Sequence, residues 1–241
     1  MSLVLQLGPR LRAIAARVLE GRVVADLCCD HARLAAALVA EGRVPRAIAG
    51  DINAAPLQAA AAALDAAGIT EVELRRGDGL AVLGPDEAIG TAVLAGIGAP
   101  LTELLLERGR AQLERVERLI LQPNHGFPKL GSLRAKLAEL GWRITDEAIA
   151  RERGRLYMTI VAEPDPNPPP LDPRARELGP IASLGHDPLW PAWVEHERER
   201  VERALAGLAR SAGRPEDRAL AARYRAFVAL LDDTAVSARN C

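Results

Sequence analysis

The chain has 241 residues, enough for one domain with an appendage or for two small domains. Nearly half of them (49%) are apolar, so a sizeable core can be buried, and only 3% are aromatic. Formal charges almost cancel, 31 Lys and Arg against 32 Asp and Glu, so overall charge gives no reason to expect a nucleic-acid partner.

A local positive patch remains open, because Arg10, Arg12 and Arg17 precede the first acidic residue. Pro9 to Leu19 places Leu11, Ile14, Ala15 and Val18 at the spacing of one helical face. Val23–Leu27 is a short apolar strand ending near Asp26, and Ala32–Ala40 a helix. Ala47–Ile52 is the next strand, with Asp51 near its end. Leu57–Ala67 is an alanine-dense helix stopped by Gly68. Glu71–Leu74 and Thr91–Ala95 are the third and fourth strands. A helix over Leu101–Val116 leads to the fifth, Leu119–Gln122. A Pro/Gly-rich loop, a helix at Ser132–Leu140 and two strands, Trp142–Ile149 and Leu156–Ala162, complete the series.

Strands alternating with helices predict a parallel sheet covered on both faces, closed by an antiparallel pair. The expected fold class is α/β, a seven-stranded sheet whose final pair can form the antiparallel edge typical of Rossmann-like methyltransferases, with a C-terminal α-helical hairpin; the alternation leaves the strand order open. Residues 1–163 form the expected catalytic domain. Residues 164–180 hold Pro164, Pro166, Pro168, Pro169, Pro170 and Pro173, and are expected to be a stiff extended linker. Residues 181–241 are expected to form the hairpin, with helices at Pro191–Leu208 and Pro215–Leu231 joined through Ala212-Gly213-Arg214. Val194, Val201, Leu205 and Leu208 mark its seam.

Parallel α/β sheets bind ligands at the carboxyl ends of their strands. There the first strand ends in Asp26-Leu-Cys-Cys-Asp-His-Ala32, a tight turn able to approach the methionine part of a nucleoside cofactor. The second gives Gly50-Asp51-Ile52-Asn53, whose carboxylate can accept both ribose hydroxyls. The third leads to Gly77-Asp78-Gly79, where Asp78 can receive an adenine amine. The fourth ends in Ala95-Gly96-Ile97-Gly98 and the fifth in Gln122-Pro123-Asn124-His125. Taken singly, each has a plainer reading: an Asp after a strand is commonly a helix N-cap, and Gly-Asp-Gly a turn. Their joint occurrence, in the order a nucleoside cofactor needs, carries the methyltransferase reading. Adjacent Cys28 and Cys29 with His31 invite a metal, but neighbouring side chains seldom converge on one ion and no second cluster completes a tetrahedral set. No metal is expected. Three cysteines, one of them Cys241, form no disulfide framework, and no apolar run approaches the ~20 residues of a membrane span. A cytoplasmic protein without membrane association is expected.

The chain resembles the bacterial tRNA (adenine(22)-N1)-methyltransferase family over nearly its full length. The resemblance rests on Leu7-Gly-Pro-Arg-Leu-Arg12, Asp26 to Ala32, Ala47-Ile-Ala-Gly-Asp51 with Pro56, and Gly77-Asp-Gly-Leu80. It continues through Ala95-Gly-Ile-Gly98, Leu119-Ile-Leu-Gln-Pro-Asn124, Gly141-Trp142 and Tyr157 to Glu163. The chain departs from the family pattern at Cys28-Cys29, where Gly-Ser is common, and at Ala99, where a second Gly is common. The resemblance implies S-adenosyl-L-methionine as cofactor and tRNA as partner. It also implies methyl transfer to N1 of an adenine in the D-arm region, with a helical C-terminal part that helps grip tRNA. On that basis Asp26, Cys28, Asp30 and His31 are assigned to the methionine side of the cofactor, Asp51 to its ribose, and Asp78 and Gly79 to its adenine, with Ile52 also in the cofactor site. Gly96, Gln122 and Asn124 are assigned to the target-base pocket, with Asp30, Gln122 and Asn124 as catalytic candidates. Arg10, Arg12 and Arg17 are candidates for phosphate contact. A methyltransferase acting on a small molecule or a protein, and an inactive cofactor-binding scaffold, remain the alternatives.

Overall fold

A computed structural model describes residues 6–124, 126–179, 184–210 and 214–237, with the side chains of the last helix described to Asp233. The elements are α1 (Pro9–Ala15), β1 (Val24–Leu27), α2 (Arg33–Ala40), β2 (Ala47–Asp51), α3 (Ala54–Ala67) and β3 (Val72–Arg76). A 3₁₀ turn (Gly79–Val82) leads to β4 (Ile89–Ala95), α4 (Ala99–Arg108), α5 (Arg110–Leu113), β5 (Val116–Gln122) and α6 (Lys129–Glu139). Then come β6 (Trp142–Glu152), β7 (Arg155–Pro164), α7 (Pro173–Leu178), α8 (Trp190–Arg210) and α9 (Pro215–Ser237).

The seven strands lie in the order β3-β2-β1-β4-β5-β7-β6. β3 through β5 are parallel, and β7 runs antiparallel to both of its neighbours. This is the Rossmann-like methyltransferase sheet. The order reverses between β1 and β4, so their carboxyl ends part and leave a crevice. Alternate residues of the strands feed opposite faces. Ala25, Leu27, Leu94 and Leu119 enter one core, and Val24, Ala47, Val93 and Ile120 the other. β1 and β2 are buried along their whole length, which explains why they read as short apolar runs without alternation.

The helix expected over 101–116 is divided. Gly109 separates α4 from α5 and sits so close to Leu80 that a Cβ there would stand 2.3 Å from its Cδ1, and Val116 already belongs to β5. The linker expected over 164–180 is not extended throughout. Asp172 accepts the Ala175 N–H at 2.8 Å, Pro173 takes the first helical turn, and α7 follows. α7 is anchored by fully buried Arg134 of α6, which donates to Glu147 (2.9 Å) and to the carbonyls of Arg176 and Glu177.

Only four residues separate the two C-terminal helices, so they fold back antiparallel, and Arg198 of α8 pairs with Asp232 of α9. Of the junction expected to join them, Ala212 and Gly213 lie outside the described residues. The hairpin does not stand apart. Trp190, Trp193, Val201, Phe227 and Leu231 are buried in the same core as Phe127, Leu130 and the strands. Among the described residues no helix is long and apolar enough to cross a membrane.

Candidate active site

β1 passes to α2 through a turn in which Cys28, Asp30 and Ala32 all have positive φ (59°, 53° and 50°). A left-handed conformation costs a side-chain-bearing residue roughly 1 kcal/mol, so the turn is held against its preference. Its anchors are on β2. The Cys29 N–H donates to the Gly50 carbonyl at 3.0 Å, and the Asp30 N–H to Asp51 Oδ2 at 3.4 Å. The positive φ at Cys28 also explains why glycine suits that position.

Asp51 ends β2, nearly buried, with Oδ1 accepting from the Asn53 backbone (2.8 Å) and side chain (3.2 Å). Its carboxylate is thus oriented by donors on both oxygens. Beside it Ile52 is 57% exposed, an apolar surface a ring can cover. Gly77 donates to the Asp51 carbonyl at 3.0 Å, bringing the β3 turn alongside, and Asp78 pairs with Arg108 at 3.4 Å. Gly79 has φ 53° and is buried under α4, where a Cβ would meet Leu105 at 2.9 Å. It therefore serves packing.

Burial, and then the charges of Asp51, Asp78 and Asp26, push the Cys28 thiol up to about 11. Burial likewise pushes Cys29 upward. Both are neutral thiols near pH 7, poor nucleophiles and poor thiolate ligands. Asp26 is 5% exposed at the end of β1. Burial pushes it up to about 7, opposed by a backbone hydrogen bond from Ala35 and by the Arg10 charge.

Over the ends of β1, β4 and β5 lies a cavity of about 1120 Å³. It brings together Asp26, Cys28, Asp30, His31, Gly96 and Asn124 of the expected site residues. Asp51, Ile52, Asp78 and Gly79 sit outside it, around the ends of β2 and β3. The loops after β4 and β5 are laced into its floor. The Asn124 side-chain amide donates to the Gly96 carbonyl, its N–H to the Ile97 carbonyl (2.9 Å), and the Gly96 N–H to the Gln122 carbonyl (3.0 Å). His125 lies outside the described residues.

Gln122 does not line the cavity. It is fully buried, accepting from Arg10 Nη1 at 3.2 Å and donating to Thr159 Oγ1 at 2.8 Å, so its amide is spent on holding α1 and β7. Of the three arginines expected at phosphates, Arg10 enters the cavity wall with Gln122, Glu152 and the Tyr157 ring as partners. Arg17 pairs with Asp146 at 2.7 Å, leaving Arg12 as the exposed one. Sequence reasoning missed the outer walls: the β6–β7 turn (Glu152 to Met158) and Trp193, His196, Glu197 and Arg200 of α8. The Arg153-Gly154-Arg155 turn between two strands and the Trp-Val-Glu-His-Glu-Arg run were the available signals.

The sequence profile of the methyltransferase-domain family matches residues 7–160, which hold all of the expected site residues. The chain is 36% identical over 161 residues to the tRNA (adenine(22)-N(1))-methyltransferase of Bacillus subtilis, covering 66% of each protein. It is 30% identical over 160 residues to a putative tRNA methyltransferase of Mycoplasma pneumoniae, covering 64% of this chain and 70% of that one. The crystal structure of a putative tRNA (m1A22) methyltransferase from Streptococcus pneumoniae superposes with a TM-score of 0.81 at 30% identity. That match covers 94% of this chain and 100% of the other. The chain belongs to the tRNA (adenine(22)-N1)-methyltransferase family. The Streptococcus protein has also been solved in complex with S-adenosyl-L-methionine (TM-score 0.80). The match to the Bacillus enzyme spans 66% of that protein's length. The end of β1 thus lines the cavity and α8 supplies its outer wall, while the ends of β2 and β3 stand outside it.

Proposed function

We propose that this chain transfers a methyl group from S-adenosyl-L-methionine to N1 of an adenine in tRNA, at position 22 in the D-arm region, in the cytoplasm. The observation that carries this reading is the cavity together with the strand-end rim outside it. The cavity is large enough for a base, and the Cys28–His31 turn that lines it is hydrogen-bonded to Gly50 and Asp51 of that rim. The rim suits the cofactor: Asp51 is oriented to take a ribose diol, Ile52 offers a face to a ring, and Asp26 is a buried acid that a cation would keep ionised. Asp78 is placed for the exocyclic amine.

S-adenosyl-L-methionine supplies an electrophilic methyl group on a sulfonium, which leaves as a neutral thioether. Adenine N1 attacks with its own lone pair, so the protein need not form a covalent bond, and alignment is its main contribution. Asn124 donates its amide nitrogen to Gly96, which leaves Oδ1 as an acceptor for the adenine amino group. The positive charge moves from sulfur to the methylated ring, and the carboxylates of Asp26 and Asp30 offset it. Trp193, Leu156 and Met158 bring apolar surface to the same space and exclude water from it.

An adenine stacked within tRNA has to be extruded to reach that depth. Exposed Arg33, Arg153 and Arg155 stand at the cavity wall, where flanking phosphates would pass. The test is methyl transfer from labelled cofactor to total tRNA and, in parallel, to protein extract from the same cells. Label in tRNA is expected. Label confined to protein or to small molecules would overturn the reading.

A further inference from the structure

The loop after β5 carries Asn124 into the cavity and is held from two sides. At its start, the Asn124 side chain and backbone bond to the carbonyls of Gly96 and Ile97. At its end, the partners come from the C-terminal hairpin. Glu197 of α8 is 2% exposed, and its Oε2 accepts the Phe127 N–H at 2.9 Å. Arg200, one turn further on, donates to both Glu197 oxygens (3.1 and 2.7 Å) and to the Phe127 carbonyl. The backbone of Phe127 is therefore gripped at its N–H and at its C=O by one helix.

The fit around this grip is close. A Cβ on Gly126 would stand 2.2 Å from Glu197 Oε1, so the loop approaches the carboxylate as only glycine permits. The buried Phe127 ring stacks on Phe227 of α9 at 3.8 Å between centroids, with Arg223 over it at 5.5 Å. Glu197 and Arg200 also line the cavity together with Asn124 and Gly126. A buried carboxylate that only held the hairpin to the core would have no need to sit on the cavity wall.

We propose that Glu197 is a positioning residue for the target base: from α8 it fixes Phe127 and, in close contact, Gly126, which lines the cavity together with Asn124. The proposal rests on the tRNA-methyltransferase reading above. It makes the hairpin part of the base pocket, whatever grip the hairpin has on RNA. A displacement of about 1 Å at a reacting group lowers a rate by about a hundredfold, so a loosened loop acts on turnover.

The experiment compares full-length Glu197→Ala, Glu197→Gln, Gly126→Ala and the Gly126→Ala/Glu197→Ala double variant. It reads kcat and KM on tRNA, calorimetric cofactor affinity and melting temperature. Glu197→Ala is expected to lower kcat about tenfold or more while cofactor affinity stays at the wild-type value. Glu197→Gln keeps an oxygen for the Phe127 N–H and should recover most of that loss. Gly126→Ala forces a methyl group into the carboxylate and should lower kcat by itself, but should add little in the Glu197→Ala background, where the obstacle is gone. Should Glu197→Ala fail to fold, Gly126→Ala against Glu197→Gln carries the comparison.

Unchanged kcat, or a loss seen only in KM for tRNA, would overturn the positioning role. Losses of cofactor affinity and kcat in step with melting temperature would show a merely structural pair. A wild-type protein that methylates no tRNA would instead defeat the reading on which the proposal rests.

Discussion

Arg10 and Gln122 are bonded in both directions. Arg10 Nη1 donates to Gln122 Oε1 at 3.2 Å, and Gln122 Nε2 donates to the Arg10 carbonyl at 3.4 Å. The pair joins α1, before the first strand, to the end of β5, and Gln122 carries the chain of bonds on to Thr159 of β7. One wall of the cavity is thereby held by an amide that never touches its contents.

Gln122→Leu should therefore behave as a stability variant. It leaves Arg10 and the buried Thr159 hydroxyl short of partners, which costs roughly 1–3 kcal/mol. Urea unfolding should show a lower midpoint, and the methylated nucleoside should be unchanged. A variant of full stability that methylates a different base would return Gln122 to the base pocket.

Asp51→Ala should weaken S-adenosyl-L-methionine binding by about tenfold or more, because charge-assisted bonds to the ribose are each worth ~1.5–3 kcal/mol. The folded state of the variant is checked by circular dichroism. Calorimetric affinity equal to that of the parent would remove Asp51 from the cofactor.

Asp26 gives cofactor binding a pH dependence. Burial raises its folded value to about 7, above the ordinary carboxylate value, so the folded state holds the proton more tightly than the unfolded one. Stability then falls as pH rises from about 4 through about 7, the reverse of the usual buried-carboxylate pair. A bound ammonium group favours the ionised form, so affinity should rise several-fold between about pH 5.5 and about pH 7.5, and Asp26→Asn should flatten the rise. A flat wild-type profile would mean that Asp26 does not face the cofactor's cation.

The parts of this architecture legible in the sequence were those governed by local rules. Buried strands such as Val24–Leu27 and Ala47–Asp51 read as apolar runs, and their acidic ends, Asp26 and Asp51, follow from strand position alone. Gly68 marked a helix end through its left-handed φ of 67°. Distant pairings had no such mark. Nothing in the Gln122-Pro123-Asn124 segment announces that the first residue turns inward to Arg10 while the third reaches the cavity. The proline-rich stretch was visible as an interruption, yet the burial of Arg134 against Arg176 and Glu177 makes it part of the packed body. The contribution of Trp193 and Glu197 to the cavity depends on how α8 folds back, which no spacing within α8 states.

The central claim is the chemistry at adenine N1, and the most direct measurement is mass spectrometry of nucleosides from tRNA incubated with the protein and S-adenosyl-L-methionine. Unmodified tRNA transcripts serve as substrate, and a transcript with the D-arm adenine replaced serves as control. The account predicts N1-methyladenosine in the first and its absence from the second. Methylation at another atom, at another nucleotide, or in neither transcript would contradict it.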